Sequence, residues 1–183
     1  MKKISLLLLI VVLGCKEAGQ EEDHKASIED TPYPIADYFV EPVPDYYYDA
    51  QPFGENNHLG EDWNGPYGGN TDLGEPFISI GNGVVVLAED IGSGWGNVII
   101  VRHTLPDGTQ IESLYGHADE IYVKPEDVVS IGQTIGTIGN VGGLYYAHLH
   151  FEIRTEINKG VGGGYSSNTD GYINPRDFYK KYN

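Results

Sequence analysis

Cysteine is nearly absent: Cys15 stands alone in the 183-residue chain, so no internal disulfide can form. Basic residues are scarce, with 11 Lys and Arg against 27 Asp and Glu, a formal net charge of -16. Nucleic-acid phosphates are gripped by clustered Lys and Arg, and the chain has no such stripe, which excludes a nucleic-acid partner. Long amphipathic helical stretches are missing. So is an apolar run able to cross a bilayer as a helix, which takes about 20 residues, because the run from Ile4 to Leu13 is too short. What the chain does hold is glycine, 25 residues, and tyrosine, 14. Turn-rich sequence without helical periodicity predicts a mostly β domain. The length allows one well-buried domain and an appendage.

The first residues divide into a basic start, Met1-Lys2-Lys3, the apolar run, and Gly14-Cys15. This is the layout of a secretory signal. Val12-Leu13-Gly14-Cys15 resembles a bacterial lipobox, in which the cysteine becomes the lipidated first residue of the mature chain. Residues 1–14 are therefore expected to be a signal peptide of the lipoprotein type. Its removal leaves 9 basic against 27 acidic residues, a balance of -18. Residues 15–49 are polar, acidic and proline-bearing, and are expected to be an extended tether. Within it, Tyr38-Phe39-Val40 and Tyr46-Tyr47-Tyr48 are more apolar and are expected at the domain edge, as an added strand or a groove wall. His24 lies in an acidic run and carries no role. Residues 50–183 form the expected domain.

Two histidine motifs stand far apart in this domain. Ala147-His148-Leu149-His150-Phe151-Glu152-Ile153-Arg154 alternates as a strand does. Side chains two apart share a face, so His148 and His150 project together, while Leu149, Phe151 and Ile153 face the core. Upstream, His58 and Asp62 stand four apart, in a glycine-crowded stretch that reads as a loop leading into a short strand. Histidine and carboxylate are ordinary zinc ligands, and a catalytic zinc commonly keeps three protein ligands and one water. His58, Asp62 and one of the later pair would make three. Glu61 is the competing carboxylate, and extended backbone points it the other way. Between the motifs, strands and tight turns alternate: 75–88 is a hairpin around Gly81-Asn82-Gly83, 98–103 a buried strand, and 111–117 a strand ending in Tyr115-Gly116-His117. The simplest topology is an antiparallel sheet built of successive hairpins. His103 is expected to be structural or exposed. Residues 160–164 and 166–169 are expected to be a flexible insertion, and Asn174 or Asp177 to cap a short terminal helix.

His58-Leu59-Gly60-Glu61-Asp62-Trp63, Tyr115-Gly116-His117 and Ala147-His148-Leu149-His150-Phe151-Glu152, in that order, resemble the M23 family of zinc metallopeptidases. The resemblance covers roughly residues 51–179. It implies a mostly β fold, an antiparallel sheet or sandwich of the lysostaphin-like type with a cleft over the sheet. It also implies one Zn²⁺ held by His58, Asp62 and His150, with His148 as general base and His117 orienting the water or stabilising the oxyanion. The implied activity is endopeptidase cleavage of peptide bonds in bacterial peptidoglycan, with a peptidoglycan peptide or a glycine-rich peptide as substrate. Two alternatives stand beside it: a catalytically inactive regulator of cell-wall amidases, and a zinc endopeptidase acting on extracellular protein. Where family members carry a Ser/Thr-Gly run before the first histidine, this chain has Tyr145-Tyr146-Ala147, which bears on substrate preference. The expected location is the cell envelope, exported and held to the membrane by lipid on Cys15.

Overall fold

A computed structural model describes residues 33–182. The expected signal peptide, Cys15, His24 and the first part of the expected tether lie outside the described residues. Ten strands follow one another: β1 (Tyr48–Gln51), β2 (Glu61–Asn64), β3 (Pro76–Ile78), β4 (Gly83–Asp90), β5 (Asn97–Thr104), β6 (Gln110–Ile121), β7 (Val128–Val129), β8 (Thr134–Ile138), β9 (Leu149–Arg154) and β10 (Tyr172–Ile173). One α-helix, α1 (Pro175–Tyr182), follows them among the described residues. The Asn174 side chain accepts a hydrogen bond from the Arg176 backbone N–H at 2.9 Å, so of the two expected caps Asn174 serves.

All strand pairs are antiparallel, in the order β1-β2-β9-β6-β5-β4-β7, with β10 on β9 and β3 joined through β8 to β6. Strands β4, β5 and β6 are the expected succession of hairpins. The expected hairpin over 75–88 does not form: both edges of β4 are taken by β5 and β7, and β3 pairs with β8 instead. A second exception is β9, which inserts between β2 and β6. Every residue of β9 is buried, so it needs a hydrogen-bonding neighbour along both edges, and a strand at the sheet margin would leave one edge unpaired. Leu149, Phe151 and Ile153 enter the main core as alternation predicts, together with Phe77, Ile99 and Tyr115. Strand β5 is apolar on both faces, because Val98 and Ile100 join Leu114 in a second cluster beneath Trp95.

The described part of the expected tether, residues 33–49, is not a tether. Ala36, Phe39, Val43 and Tyr47 are buried in the main core, and Tyr48 opens β1. Phe39 packs edge-on against Phe178 of α1, ring centroids 4.7 Å apart. Backbone bonds from Ala36 N–H to Thr104 O, Val40 N–H to Ile80 O and Ile78 N–H to Pro42 O hold the segment down. Polar and proline-rich composition hid a sparse set of apolar residues, spaced three or four apart, that together find a groove to fill. The packed unit therefore begins at Tyr33, not at residue 50.

Candidate metal centre

Strand register builds the site. Asp62 of β2 is the direct cross-strand partner of His150 of β9, and Gly116 of β6 is its partner on the other side. Directly opposed residues on one face bring their Cβ atoms to about 4.5–5.5 Å, close enough for the side chains to meet. His58 arrives from the loop before β2. Its Nε2 lies 3.0 Å from His150 Nδ1 and 3.3 Å from Asp62 Oδ1, and His150 Nδ1 lies 3.0 Å from the same Asp62 oxygen. Gly116 leaves the room: a Cβ there would press on the Trp95 ring at 3.0 Å.

The outer nitrogens of both imidazoles are occupied. His58 Nδ1–H donates to the Gln51 carbonyl at 3.1 Å, and His150 Nε2–H donates to the Glu152 carboxylate at 3.0 Å. Each neutral ring carries one N–H, so the inner nitrogens hold bare lone pairs. Two lone pairs and a carboxylate oxygen converge with no hydrogen to share, an arrangement that only a cation or an added proton satisfies. These three residues are the one cluster of metal-ligating side chains among the described residues. Burial alone would raise the Asp62 pKa, but the imidazoles of His150 and His58 outweigh it and hold the carboxyl well below its usual range. Burial opposes charging of His150, yet the Asp62 and Glu152 carboxylates raise its pKa to about 9, the same field that draws a cation.

His148 and His117 stand on the same cleft. His148 Nε2 is 3.9 Å from Asp62 Oδ1, and the His117 and His148 rings are 4.7 Å apart. His148 Nδ1–H donates to the Tyr146 carbonyl at 2.8 Å and His117 Nδ1–H to the Trp95 carbonyl at 3.0 Å, leaving both Nε2 atoms as acceptors. Alternation along β6 would put His117 on the core side with Tyr115. A left-handed backbone at His117, φ 62°, turns it to the cleft instead. Burial, with His148 and His150 nearby, lowers its pKa to about 3, so it is neutral at ordinary pH. Gly139 spaces the pair: it bridges to His148, and a Cβ on it would lie 2.3 Å from the His117 carbonyl oxygen.

The cleft holds about 400 Å³ and is walled by Trp95, Tyr145, Tyr165 and the glycines 163 and 164. Tyr165 lies over His58, ring centroids 5.0 Å apart, and its hydroxyl donates to Gln51 Oε1 at 3.2 Å. Glu61, the competing carboxylate, points to the opposite face. It is buried there beside Asp49, with Arg176 Nε at 3.5 Å, and burial followed by the Asp49 charge pushes its pKa up to about 7. His103 is structural: Nδ1–H donates to Asn82 O and Nε2 accepts from the Ser113 hydroxyl, both at 2.8 Å.

Sequence reasoning missed Trp95, Tyr165 and the charged pair Glu152 and Arg154. The last two were within reach, because the alternation that pairs His148 with His150 runs on through 152 and 154 on the same face. Trp95 and Tyr165 enter from turns and carry no periodic signal.

The sequence pattern of peptidase family M23 matches residues 56–164. Lipoprotein NlpD of Yersinia enterocolitica is 38% identical over 81 residues, 44% of this chain and 78% of that protein. Murein hydrolase activator NlpD of Salmonella dublin is 33% identical over 100 residues, and peptidoglycan DD-endopeptidase ShyA of Vibrio cholerae is 36% identical over 81. These two matches take in 51% and 44% of this chain but only 25% and 18% of those proteins. Among solved structures, the antimicrobial peptidase lysostaphin from Staphylococcus simulans superposes with a TM-score of 0.58 at 25% identity, over 79% of this chain and 53% of that one. A zinc containing peptidase from Vibrio cholerae gives 0.52 at 28%, over 65% and 36%. The family pattern takes in more than half of the chain, its strands follow the lysostaphin-like architecture, and the chain is a member of peptidase family M23.

Proposed function

We propose that the chain is a zinc-dependent endopeptidase that hydrolyses peptide bonds in bacterial peptidoglycan. The observation that carries this reading is the convergence of three ligand atoms, from His58, Asp62 and His150, beside two further imidazoles whose Nε2 atoms face the same cleft. The ligand atoms are 3.0 to 3.3 Å apart, near the edge of about 3.3 Å expected for tetrahedral ligands at about 2.0 Å from zinc. Two nitrogens and one carboxylate oxygen also suit that ion. When bound, zinc supplies Lewis acidity, bringing the pKa of a water down to about 7 and polarising a carbonyl.

The residues of the chain do the rest. His148, its Nδ1–H fixed on Tyr146, presents Nε2 as the base that takes a proton and later delivers it to the leaving amine. His117 stays neutral, and its N–H is committed to Trp95, so its Nε2 accepts. This favours orienting the attacking water over donating to an oxyanion. Glu152 holds the His150 ring in the ligating tautomer.

A second reading is a non-catalytic activator of cell-wall hydrolases, favoured by the likeness to proteins named murein hydrolase activator. The complete set of five residues supports the enzyme. Incubation with purified peptidoglycan, with and without chelator, followed by mass analysis of released fragments, separates the two. New peptide ends that vanish with chelator are expected of the enzyme, and none of the activator. A parallel casein digest tests extracellular protein as the target. In the proposed mature protein the first 14 residues are removed, Cys15 carries lipid in the cell envelope, and residues 16–32 are the tether to the packed unit.

A further inference from the structure

The face of β9 that carries His148 and His150 continues through Glu152 and Arg154, both wholly buried. Charges so buried are tolerated only when fully paired. Glu152 Oε1 accepts from His150 Nε2–H at 3.0 Å. Its Oε2 accepts from Arg154 Nε–H at 2.7 Å and meets Nη2 at 2.6 Å. The other side of the same guanidinium donates to two backbone carbonyls, Nη1 to Gly160 at 2.5 Å and Nη2 to Val161 at 2.6 Å. The planar fork of arginine allows this two-sided grip, and a lysine ammonium has no such geometry.

The two carbonyls open the segment 160–164, expected from composition to be flexible. It contains no helix, and four of its five carbonyls accept hydrogen bonds. After Arg154, Trp95 Nε1–H donates to Gly162 O at 3.0 Å, and Leu59 N–H to Gly164 O at 2.9 Å. Gly163 and Gly164 then form one wall of the cleft, so close to the metal triad that a Cβ on Gly164 would sit 3.7 Å from His150 Cε1. We infer that Arg154 is a positioning residue that sets the glycine wall of the cleft and, through Glu152, the ring of the ligand His150 with a single guanidinium. A shift of the wall is thereby a shift of the ligand's partner, and substrate fit and metal grip are tied together.

The inference rests on the metal reading of the triad, and the test keeps the two apart. Arg154→Lys, Glu152→Gln and Trp95→Phe are compared with the parent chain. The readouts are zinc affinity by chelator competition, and amide hydrogen exchange of residues 160–164 in metal-free and zinc-loaded protein. Arg154→Lys is expected to weaken zinc binding by about 10- to 100-fold. It should also speed exchange at 160–164 by about tenfold, the effect of losing charge-assisted bonds, while β5 amides keep the parent rate. Trp95→Phe is expected to speed exchange in the same segment through loss of its bond to Gly162, and to change zinc affinity far less than Arg154→Lys, since it keeps an aromatic ring against His150 and leaves Glu152 paired. Parent-like exchange and zinc affinity in Arg154→Lys would overturn the inference, as would faster exchange spread evenly over the sheet. If Arg154→Lys does not fold, Glu152→Gln decides: zinc binding about tenfold weaker supports the link, and parent-like affinity ends it. A parent chain that binds no zinc sinks the metal reading, while the exchange data still report on the wall.

Discussion

His117 sits on backbone that few side chains accept, which makes it informative to replace. Asparagine tolerates the left-handed region better than most residues, so His117→Asn keeps the local turn and removes the acceptor nitrogen. Zinc content should stay at one per chain by elemental analysis, while kcat falls by about 10²- to 10⁴-fold, the usual worth of a positioned acid or base. His58→Ala should instead lose the metal. Much at this scale was legible. Two-residue alternation placed His148 and His150 on one face and their neighbours in the core, and the opposite pointing of Glu61 and Asp62 followed from the same rule. Choosing His150 over His148 as ligand came only by resemblance. The structure sets His150, not His148, directly beside Asp62 through their cross-strand pairing, a contact across 88 residues that no local pattern encodes.

At the scale of elements, the hairpins β4, β5 and β6 were readable because each closes over a short turn with its own glycine signal. The insertion of β9 was not, since a strand's neighbours depend on which distant edges are open. In the segment 33–49 the packing of the Tyr38-Phe39-Val40 and Tyr46-Tyr47-Tyr48 stretches was anticipated, but the whole was read as a tether because its apolar residues are few; Ala36, Phe39, Val43 and Tyr47 are buried, while Ile35, Tyr38 and Tyr46 stay exposed. Phe39→Ala is therefore expected to cost about 3–5 kcal/mol in urea unfolding, the loss typical of a buried aromatic and far above that of a tether residue. Strand β5 adds a pH dependence. His103 is buried and hydrogen-bonded as the neutral ring, and burial lowers its pKa from 6.5 to about 4. Between those values the unfolded chain binds the extra proton, so stability is full above pH 6.5 and falls as the pH drops toward 4, by about 3 kcal/mol in all. His117 acts in the same direction. Glu61, raised to about 7, acts in the opposite direction between pH 7 and 4.5, so the outcome is read as a difference: from pH 7 to 4 the urea midpoint of the parent should fall relative to that of His103→Gln.

Seen whole, the molecule is an acidic body, with -18 on the proposed mature chain, that gathers its ligands from positions as distant as 58 and 150. An ion that binds only the folded state stabilises it by mass action, about 4 kcal/mol at a thousandfold excess over Kd. Excess EDTA is expected to lower the melting temperature of the parent chain and to leave that of His58→Ala where it was, by differential scanning calorimetry. The acidity itself was plain from composition, but it is silent on substrate. The place of β9 between β2 and β6 carries one more consequence. Both halves of the triad meet only across that strand's hydrogen-bonded edge. A chain that has not yet folded thus holds all three side chains and no place where they meet, so whatever the cluster does begins only once this strand is seated.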